Sequence, residues 1–146
     1  MGPRLRRDDG KFVMSAHELK IRVYYEDTDA GGVVYHARYL AFAERGRTEM
    51  LRAAGYEHAP LLSENGTAFA VVAADLQYKA PAQLDDELTI KSEITRVGGA
   101  SMEIKQDIFC ADRLLTEIKV TLVCVDSAFK AVRLPAEIKK IFDSKS

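Results

Sequence analysis

The chain has 146 residues and a formal net charge of -1, with 47% hydrophobic and 29% charged residues. This length and apolar content suit one compact domain and leave too little chain for two. The near-zero net charge excludes broad attraction to nucleic acid or an anionic membrane, so a phosphate-bearing ligand would need a local basic cluster. No apolar run reaches the roughly 18 residues of a membrane span, and the N-terminus lacks the apolar segment of a secretory signal. The predicted compartment is the cytoplasm.

The first residues mix charge, glycine and proline without periodicity. We therefore expect a flexible N-terminal lead-in over residues 1–16 and a single domain over residues 17–146. From Leu19 to Tyr25 apolar and basic residues alternate, which predicts a half-buried strand.

Residues 24–36, with the sequence YYEDTDAGGVVYH, place three carboxylates, a Gly31-Gly32 turn and His36 directly before a helical pattern. Backbone N–H groups at a helix start bind negative oxygen, and glycine lets the backbone approach a ligand closely. The segment therefore predicts a carboxylate beside an anion-binding site. This favours acyl-transfer chemistry, and thioester hydrolysis in particular, because a thiolate with a pKa near ~8.5 leaves readily once the carbonyl oxygen is stabilised.

The same segment has other interpretations. Asp27 and Asp29 could simply cap backbone N–H groups in a turn, and spacing alone leaves that alternative open. A calcium loop would need an oxygen ligand where Gly31 stands and a bidentate glutamate where Arg38 stands, so calcium is disfavoured. The chain has no Gly-Lys-Ser/Thr after the glycines and no Gly-x-Ser-x-Gly motif, so neither a P-loop nor a serine hydrolase is indicated.

Residues 37–54 show helical periodicity, and Gly55 is placed to end the helix as a C-terminal cap. Apolar residues fill about half of the helical circumference, more than the stripe of an ordinary surface helix. They are Tyr39, Leu40, Phe42, Ala43, Gly46, Met50, Leu51, Ala53 and Ala54. Arg47 is the one charge on this face. The pattern predicts a helix embraced by a curved sheet.

Most of the chain after this helix has the pattern of β-strands. Residues 67–78 are almost continuously apolar, which predicts a strand covered on both faces. Three later segments alternate, and their inward sets are Leu88, Ile90 and Ile94, then Met102, Ile104 and Ile108, then Ile118, Val120, Leu122 and Cys124. Gly98-Gly99 predicts a two-residue hairpin turn, residues 111–113 a second short connection, and Pro135 the start of a short amphipathic helix.

These elements predict an α+β fold in which an antiparallel sheet of about five strands wraps around one long central helix. Cys110 and Cys124 both fall on the inward side of alternating segments, as buried thiols do, and not in the spacing of a disulfide framework or a metal site. His17 and His58 have no motif around them and are predicted to lie at the surface.

Two blocks of sequence carry a family resemblance. The first covers residues 22–52 and begins RVYYEDTDAGGVVYHA; the second is Tyr78-Lys79-Ala80-Pro81, followed by Asp86. On these motifs the chain resembles the hot-dog-fold acyl-CoA thioesterases, in particular the YbgC-like group related to 4-hydroxybenzoyl-CoA thioesterase. The resemblance spans residues 18–142, and Gly46 stands where the group often has alanine.

The resemblance implies that Asp29 is the catalytic carboxylate, acting as nucleophile or as general base. It also implies that a backbone N–H near His36, at the start of the helix, is the oxyanion donor. The His36 side chain is expected in the site. There it would position water, assist departure of the thiolate, or form a hydrogen bond within the helix start. Gly31, Gly32 and Tyr35 are expected to position the substrate, although Tyr35 could equally be a core aromatic. This interpretation requires the Asp29 carboxylate and the helix start to face one small cavity.

Some other hot-dog thioesterases carry the catalytic acid on this helix, which makes Glu44 a lesser candidate. An ion pair with Arg47 at i+3 is the simpler expectation for it. The phosphates of coenzyme A require cations, and Lys79, Arg96 and Lys105 are candidates on or near strand ends. Glu26 and Asp27 are expected to orient the loop.

The expected substrate is an acyl-CoA or an acylated acyl carrier protein, which yields a carboxylic acid and free thiol without any cofactor or metal. The resemblance implies a homodimer or homotetramer, with strands joined across the interface and a site shared between subunits. The alternative is a non-catalytic acyl-CoA or acyl-carrier-protein binding partner in envelope lipid metabolism. A hot-dog dehydratase or hydratase is disfavoured, because those relatives commonly arrange an acid and a histidine differently.

Overall fold

The computed structural model describes residues 16–56 and 66–143, together with the backbone of residues 5–8 and 11–14. Seven strands and two helices are formed in these residues. They are β1 (Leu5–Asp8), β2 (Lys11–Met14), β3 (His17–Arg22), α1 (Arg38–Ala53), β4 (Ala68–Tyr78), β5 (Glu87–Val97), β6 (Ser101–Cys110), β7 (Arg113–Val125) and α2 (Ala136–Asp143). A short 3-10 helix, Tyr25–Asp27, follows β3. Neither helix is long and apolar enough to span a membrane.

Five strands form one antiparallel sheet in the order β3-β5-β6-β7-β4. The long helix α1 packs on β3, β5 and β6. The predicted α+β fold, with a five-stranded antiparallel sheet and one long central helix, is therefore confirmed. The lead-in showed no periodicity, yet β1 and β2 pair there as a separate two-stranded sheet. The proposed division at residue 17 stays a prediction.

The core lies between α1 and the inner face of the sheet. The three inward sets predicted for β5, β6 and β7 contain ten residues, and all ten are buried. Strand alternation alone identified them correctly, because one face of each strand meets the helix and the other meets solvent. The helix α2 closes one end of this core with Ile138, which is fully buried.

The ends of α1 agree with the sequence within one residue. Gly55 has φ +95°, and the Gly55 and Tyr56 N–H groups donate to the carbonyls of Arg52 and Leu51. These two bonds form the Schellman motif that commonly terminates helices at glycine. The buried face is narrower than predicted: Leu40 and Ala53 are exposed. The sheet covers one side of the helix, so only the residues on that side are withdrawn from water.

Strand β4 was predicted to be covered on both faces, and that prediction is wrong for the single chain. β4 is the last strand of the sheet, and Val71 and Val72 are 49% and 59% exposed. A register shift separates Val71 from Ala73 in its pairing with β7. The apolar run therefore marks an open sheet edge and not an interior strand.

Both hairpin connections in the main sheet are short, but one differs from its prediction. Residues 98–100 connect β5 to β6, so this turn has three residues instead of two, closed by the Gly98 N–H donating to the Ser101 carbonyl at 2.7 Å. Residues 111–112 connect β6 to β7, with Ala111 at φ +53°. The final helix begins directly after Pro135, as predicted.

Candidate active site

The loop between β3 and α1 is organised by the buried carboxylate of Asp27. One of its oxygens accepts the Tyr24 N–H at 2.8 Å, and the other accepts the Arg38 Nε at 2.6 Å. Glu26 lies 3.9 Å from the same guanidinium and is largely exposed. Asp27 therefore ties the 3-10 helix to the first residue of α1, and the expected orienting role of Asp27 is seen directly.

Asp29, two residues later, is exposed to solvent. Its Oδ1 accepts the Gly31 N–H at 2.8 Å, and the Gly32 N–H donates to the Asp29 carbonyl at 3.0 Å. Gly32 has φ +81°, a conformation that side chains disfavour, and a Cβ on Gly31 would lie 3.2 Å from Asp29 Oδ1. The two glycines thus allow a tight turn around Asp29, and their N–H groups are engaged within the loop.

His36 and Tyr35 lie together at the entrance to α1, and both are exposed. Their ring centroids are 4.6 Å apart. The Tyr35 N–H donates to the Asp27 carbonyl at 3.0 Å, which fixes the segment to the loop. From the far end of β4, the Tyr78 hydroxyl donates to the His36 carbonyl at 2.9 Å. Tyr78 belongs to the second block of the family resemblance, but no local pattern in the sequence predicts this bond.

Two backbone N–H groups in the segment just before α1 remain available. The Arg38 and Leu40 N–H groups donate to the Tyr35 and Ala37 carbonyls. Within residues 16–56 and 66–143, the N–H groups of His36 and Ala37 donate to no acceptor. Such groups at an exposed helix start carry partial positive charge and suit a negative oxygen.

The three candidate cations for coenzyme A are spread over the sheet. Lys79 follows β4 at the end of the sheet nearest the acidic loop, with Nζ 3.5 Å from Glu117. Lys105 lies in the middle of β6, 3.4 Å from Asp107. Arg96 is nine residues beyond Glu87 on β5, so at the usual rise per residue it lies about 30 Å from Glu87, toward the opposite end of the strand. Of these three candidates, only Lys79 lies near the acidic loop within one chain.

A cavity of about 320 Å³ opens between the middle of α1 and the beginning of β4. It is lined by Glu44, Arg47, Thr48, Leu51, Tyr56, Thr67, Ala68, Phe69, Val71 and Leu122. Burial lowers the pKa of Arg47, opposed by the charge of Glu44. The expected ion pair between these two is not among the contacts of the described residues. Asp29 does not line this cavity, so the single chain does not bring the carboxylate to it.

The structure corrects one prediction about the histidines: His17 is buried. His17 was predicted at the surface, but it is only 7% exposed, because its side chain points inward from β3 beside the helix. Burial lowers its pKa, and Nδ1 has no hydrogen-bond partner among the described residues. His58 lies outside the described residues. Cys110 and Cys124 are free thiols, and burial raises the pKa of both.

Comparisons with known proteins identify the family to which this chain belongs. A sequence profile of the thioesterase superfamily matches residues 31–117, so the match begins two residues after Asp29. The acyl-CoA thioesterase YbgC of Haemophilus influenzae is 45% identical over 123 residues, covering 84% of this chain and 90% of that protein. The acyl-CoA thioester hydrolase YbgC of Escherichia coli O6:H1 is 53% identical over 107 residues, covering 73% and 79%.

Solved structures give the same result. The crystal structure of a probable thioesterase from Bartonella henselae superposes with a TM-score of 0.80 at 41% identity, covering 83% of this chain and all of that one. The profile match, the relatives and the shared architecture lead to one conclusion: this chain belongs to the thioesterase superfamily and is a thioester hydrolase of hot-dog fold.

Proposed function

We propose that the protein hydrolyses an acyl-CoA thioester to free coenzyme A and a carboxylic acid. The observation that carries the proposal is the exposed Asp29 carboxylate, held by the Gly31 N–H in a loop that leads into α1. Directly before the helix, the N–H groups of His36 and Ala37 are available among the described residues. The names of the YbgC relatives, which are acyl-CoA thioesterases, support coenzyme A as the carrier.

Asp29 is proposed as the catalytic carboxylate. As a nucleophile it would attack the thioester carbon, with cleavage of the C–S bond and loss of the thiolate, to give a mixed anhydride that water then hydrolyses. As a general base it would take a proton from the water that attacks the thioester carbon and displaces the thiolate. In both routes negative charge develops on the carbonyl oxygen, and an N–H at the start of α1 near His36 is the proposed donor to it. The imidazole of His36 is proposed to hold water or protonate the departing thiolate, with Tyr35 beside the acyl group.

The complete site is proposed to need two subunits. β4 exposes an edge of 11 residues with a single charge, Asp75, whereas natural sheet edges are usually protected by several charges. Antiparallel pairing of two β4 edges would place the beginning of one strand beside the end of the other. The cavity at Val71 would then lie near the partner's acidic loop, which each β4 reaches through Tyr78. A homodimer of this kind, or a tetramer built from it, would surround Asp29 with a pocket.

Other assignments follow from the same proposal. Lys79 is the proposed phosphate contact within one chain, while Arg96 and Lys105 would have to act across the interface. The reaction is proposed to use no cofactor or metal, because a carboxylate and a hydrogen-bond donor suffice for a thiolate leaving group. A cytoplasmic location remains part of the proposal.

The decisive experiment is release of free thiol from a panel of acyl-CoAs that differ in chain length and aromaticity. Wild type should turn over at least one substrate, and Asp29→Asn should lose about 10²-fold or more in kcat while still binding substrate. Asp143→Asn, an exposed aspartate in α2, is the matched control and should behave as wild type. Equal kcat for wild type and Asp29→Asn would refute the assigned role.

The same panel also tests the alternative function. Measurable binding of an acyl-CoA or an acylated carrier protein, with no release of thiol from any member of the panel, would favour a non-catalytic binding protein. Faster release from the carrier protein than from coenzyme A would instead change the substrate class while leaving the chemistry intact.

A further inference from the structure

The Tyr78 hydroxyl makes a long-range contact with the segment that enters α1. It donates to the carbonyl of His36, 42 residues away, at 2.9 Å. The accepting carbonyl of His36 and the N–H of Ala37 belong to the same peptide unit. Ala37 is the N-cap residue of α1, so the end of β4 holds the peptide unit through which the chain enters the helix.

The direction of this peptide unit follows from its geometry. All described peptide bonds are trans, so the His36 carbonyl and the Ala37 N–H point in opposite directions. With the carbonyl fixed toward Tyr78, the N–H is turned away from it. Ala37 has φ -75° and ψ -16°, as in a helix, and its N–H donates to no acceptor in the described part of the chain.

We propose that Tyr78 is a positioning residue for the thioester hydrolysis proposed above, and that it acts by orienting and polarising the His36–Ala37 peptide so that the Ala37 N–H is a donor to the developing oxyanion. A hydrogen bond accepted by a carbonyl withdraws electron density from the same amide, which makes its N–H a stronger donor. A donor fixed before the reaction also needs no reorganisation when the charge develops.

The contribution of the hydroxyl can be separated from that of the ring. The Tyr78 ring packs edge to face on Tyr39, with centroids 5.6 Å apart. Tyr39 has its own bond, because its hydroxyl oxygen accepts the Ala82 N–H at 3.1 Å. Phenylalanine at position 78 would keep the ring contact and lose only the bond to His36. Phenylalanine at position 39 would lose a neighbouring hydroxyl that does not touch this peptide.

The first test is steady-state kinetics of Tyr78→Phe beside Tyr39→Phe, with the melting temperature of each. Tyr78→Phe should lower kcat about tenfold with KM within about twofold of wild type, because an oxyanion contact is weakened but not removed. Tyr39→Phe should lower the melting temperature more and kcat less. An unchanged kcat for Tyr78→Phe, or kcat losses that simply follow the melting temperatures, would overturn the proposal.

The second test asks whether Tyr78 acts through Ala37. Proline at position 37 removes the N–H, fits the observed φ and is tolerated at a helix start. Ala37→Pro should lose about 10²-fold in kcat, the usual effect of deleting an oxyanion donor. Tyr78→Phe should then add little in the Ala37→Pro background, since both act on one donor. A full additional tenfold loss in the double variant would exclude this route.

A spectroscopic measurement distinguishes failure of this inference from failure of the proposed function. The carbonyl stretch of a ¹³C-labelled acyl-CoA bound to Asp29→Asn reports the hydrogen bond to its oxygen without turnover. Adding Tyr78→Phe should move the stretch back toward its frequency in water-free solvent. Wild-type turnover with an unmoved stretch would reject the role of Tyr78 alone, whereas an inactive wild type would reject the proposed function and, with it, this role.

Discussion

Asp27 and Asp29 are separated by a single residue, yet their carboxylates have opposite environments. Asp27 is buried and accepts two hydrogen bonds that join the 3-10 helix to α1. Asp29 is exposed and bonds only its own loop among the described residues. The first carboxylate is therefore suited to hold the loop, and the second remains accessible to a substrate.

Removing the Asp27 carboxylate should destabilise the protein. Asp27→Ala should lower the free energy of unfolding by about 2 kcal/mol, because a buried hydrogen bond to a charged group is lost and the Tyr24 N–H is left unpaired. Urea unfolding measures the change. Glu26→Ala, which removes an exposed carboxylate 3.9 Å from Arg38, should cost less than about 0.5 kcal/mol. Equal losses would contradict the role given to Asp27.

His17 should make stability depend on pH below neutrality. Burial lowers its pKa in the folded state, so the unfolded chain binds a proton at a higher pH than the folded chain does. The stabilisation is present above pH 6.5, the ordinary value, and is lost as the pH falls through the folded pKa. Unfolding free energies of wild type should fall between pH 7 and 5 more steeply than those of His17→Phe. Parallel curves would show that another group is responsible.

The contact of α1 with the sheet depends on a small residue. A Cβ at Gly46 would lie 2.6 Å from Ile90 Cγ2 and 3.0 Å from Gln106 Nε2 and Ser92 Oγ. Gln106 also donates to the Ala43 carbonyl at 2.6 Å, which ties the helix to β6. The central helix is thus held by close backbone approach and by a buried amide, not by apolar contact alone.

Gly46→Ala should be destabilising although alanine favours helices. The gain in helix propensity is about 1 kcal/mol, but the crowding against a branched, tightly packed side chain costs about 1–3 kcal/mol. We expect a net loss of about 1 kcal/mol in thermal or urea unfolding. Gly99→Ala adds a methyl group where no atom lies within 4 Å and should be close to neutral. A more stable Gly46→Ala would mean that Ile90 moves aside freely.

At the scale of the whole molecule, β4 is the sheet edge proposed to pair with a second copy of the chain. An open edge with exposed Val71 and Val72 is unusual for a protein that stays monomeric, because such an edge pairs readily with another strand. Pairing would also bring the cavity and the acidic loop of different chains together, as proposed above. Oligomeric state and activity are then expected to change together.

A charge on this edge should separate the subunits. Val72→Lys should shift the protein from dimer or tetramer toward monomer in analytical ultracentrifugation and lower activity in parallel, because lysine disfavours edge pairing. Phe129→Lys replaces another exposed apolar residue, 83% exposed and outside β4, and should leave both properties unchanged. A Val72→Lys protein that stays oligomeric and active would contradict the proposed interface.

Local patterns in the sequence determined the architecture and much of the acidic loop. The inward residues of β5, β6 and β7 and the glycine end of α1 were predicted correctly, because strand alternation and helix capping depend only on neighbouring residues. The turn at Gly31 and Gly32 was also predicted correctly, because a glycine pair is a local signal for a tight turn. The catalytic roles of Asp29 and His36 stay predictions.

The tertiary structure decided what depends on distant residues. It placed β4 at an edge, although its apolar run looks like an interior strand, because strand order is set by pairing between segments far apart in the chain. It buried His17, gave Asp27 an arginine partner from α1, and joined the Tyr78 hydroxyl to the His36 carbonyl. No local period or spacing encodes such contacts, since they exist only when the sheet has brought both segments together.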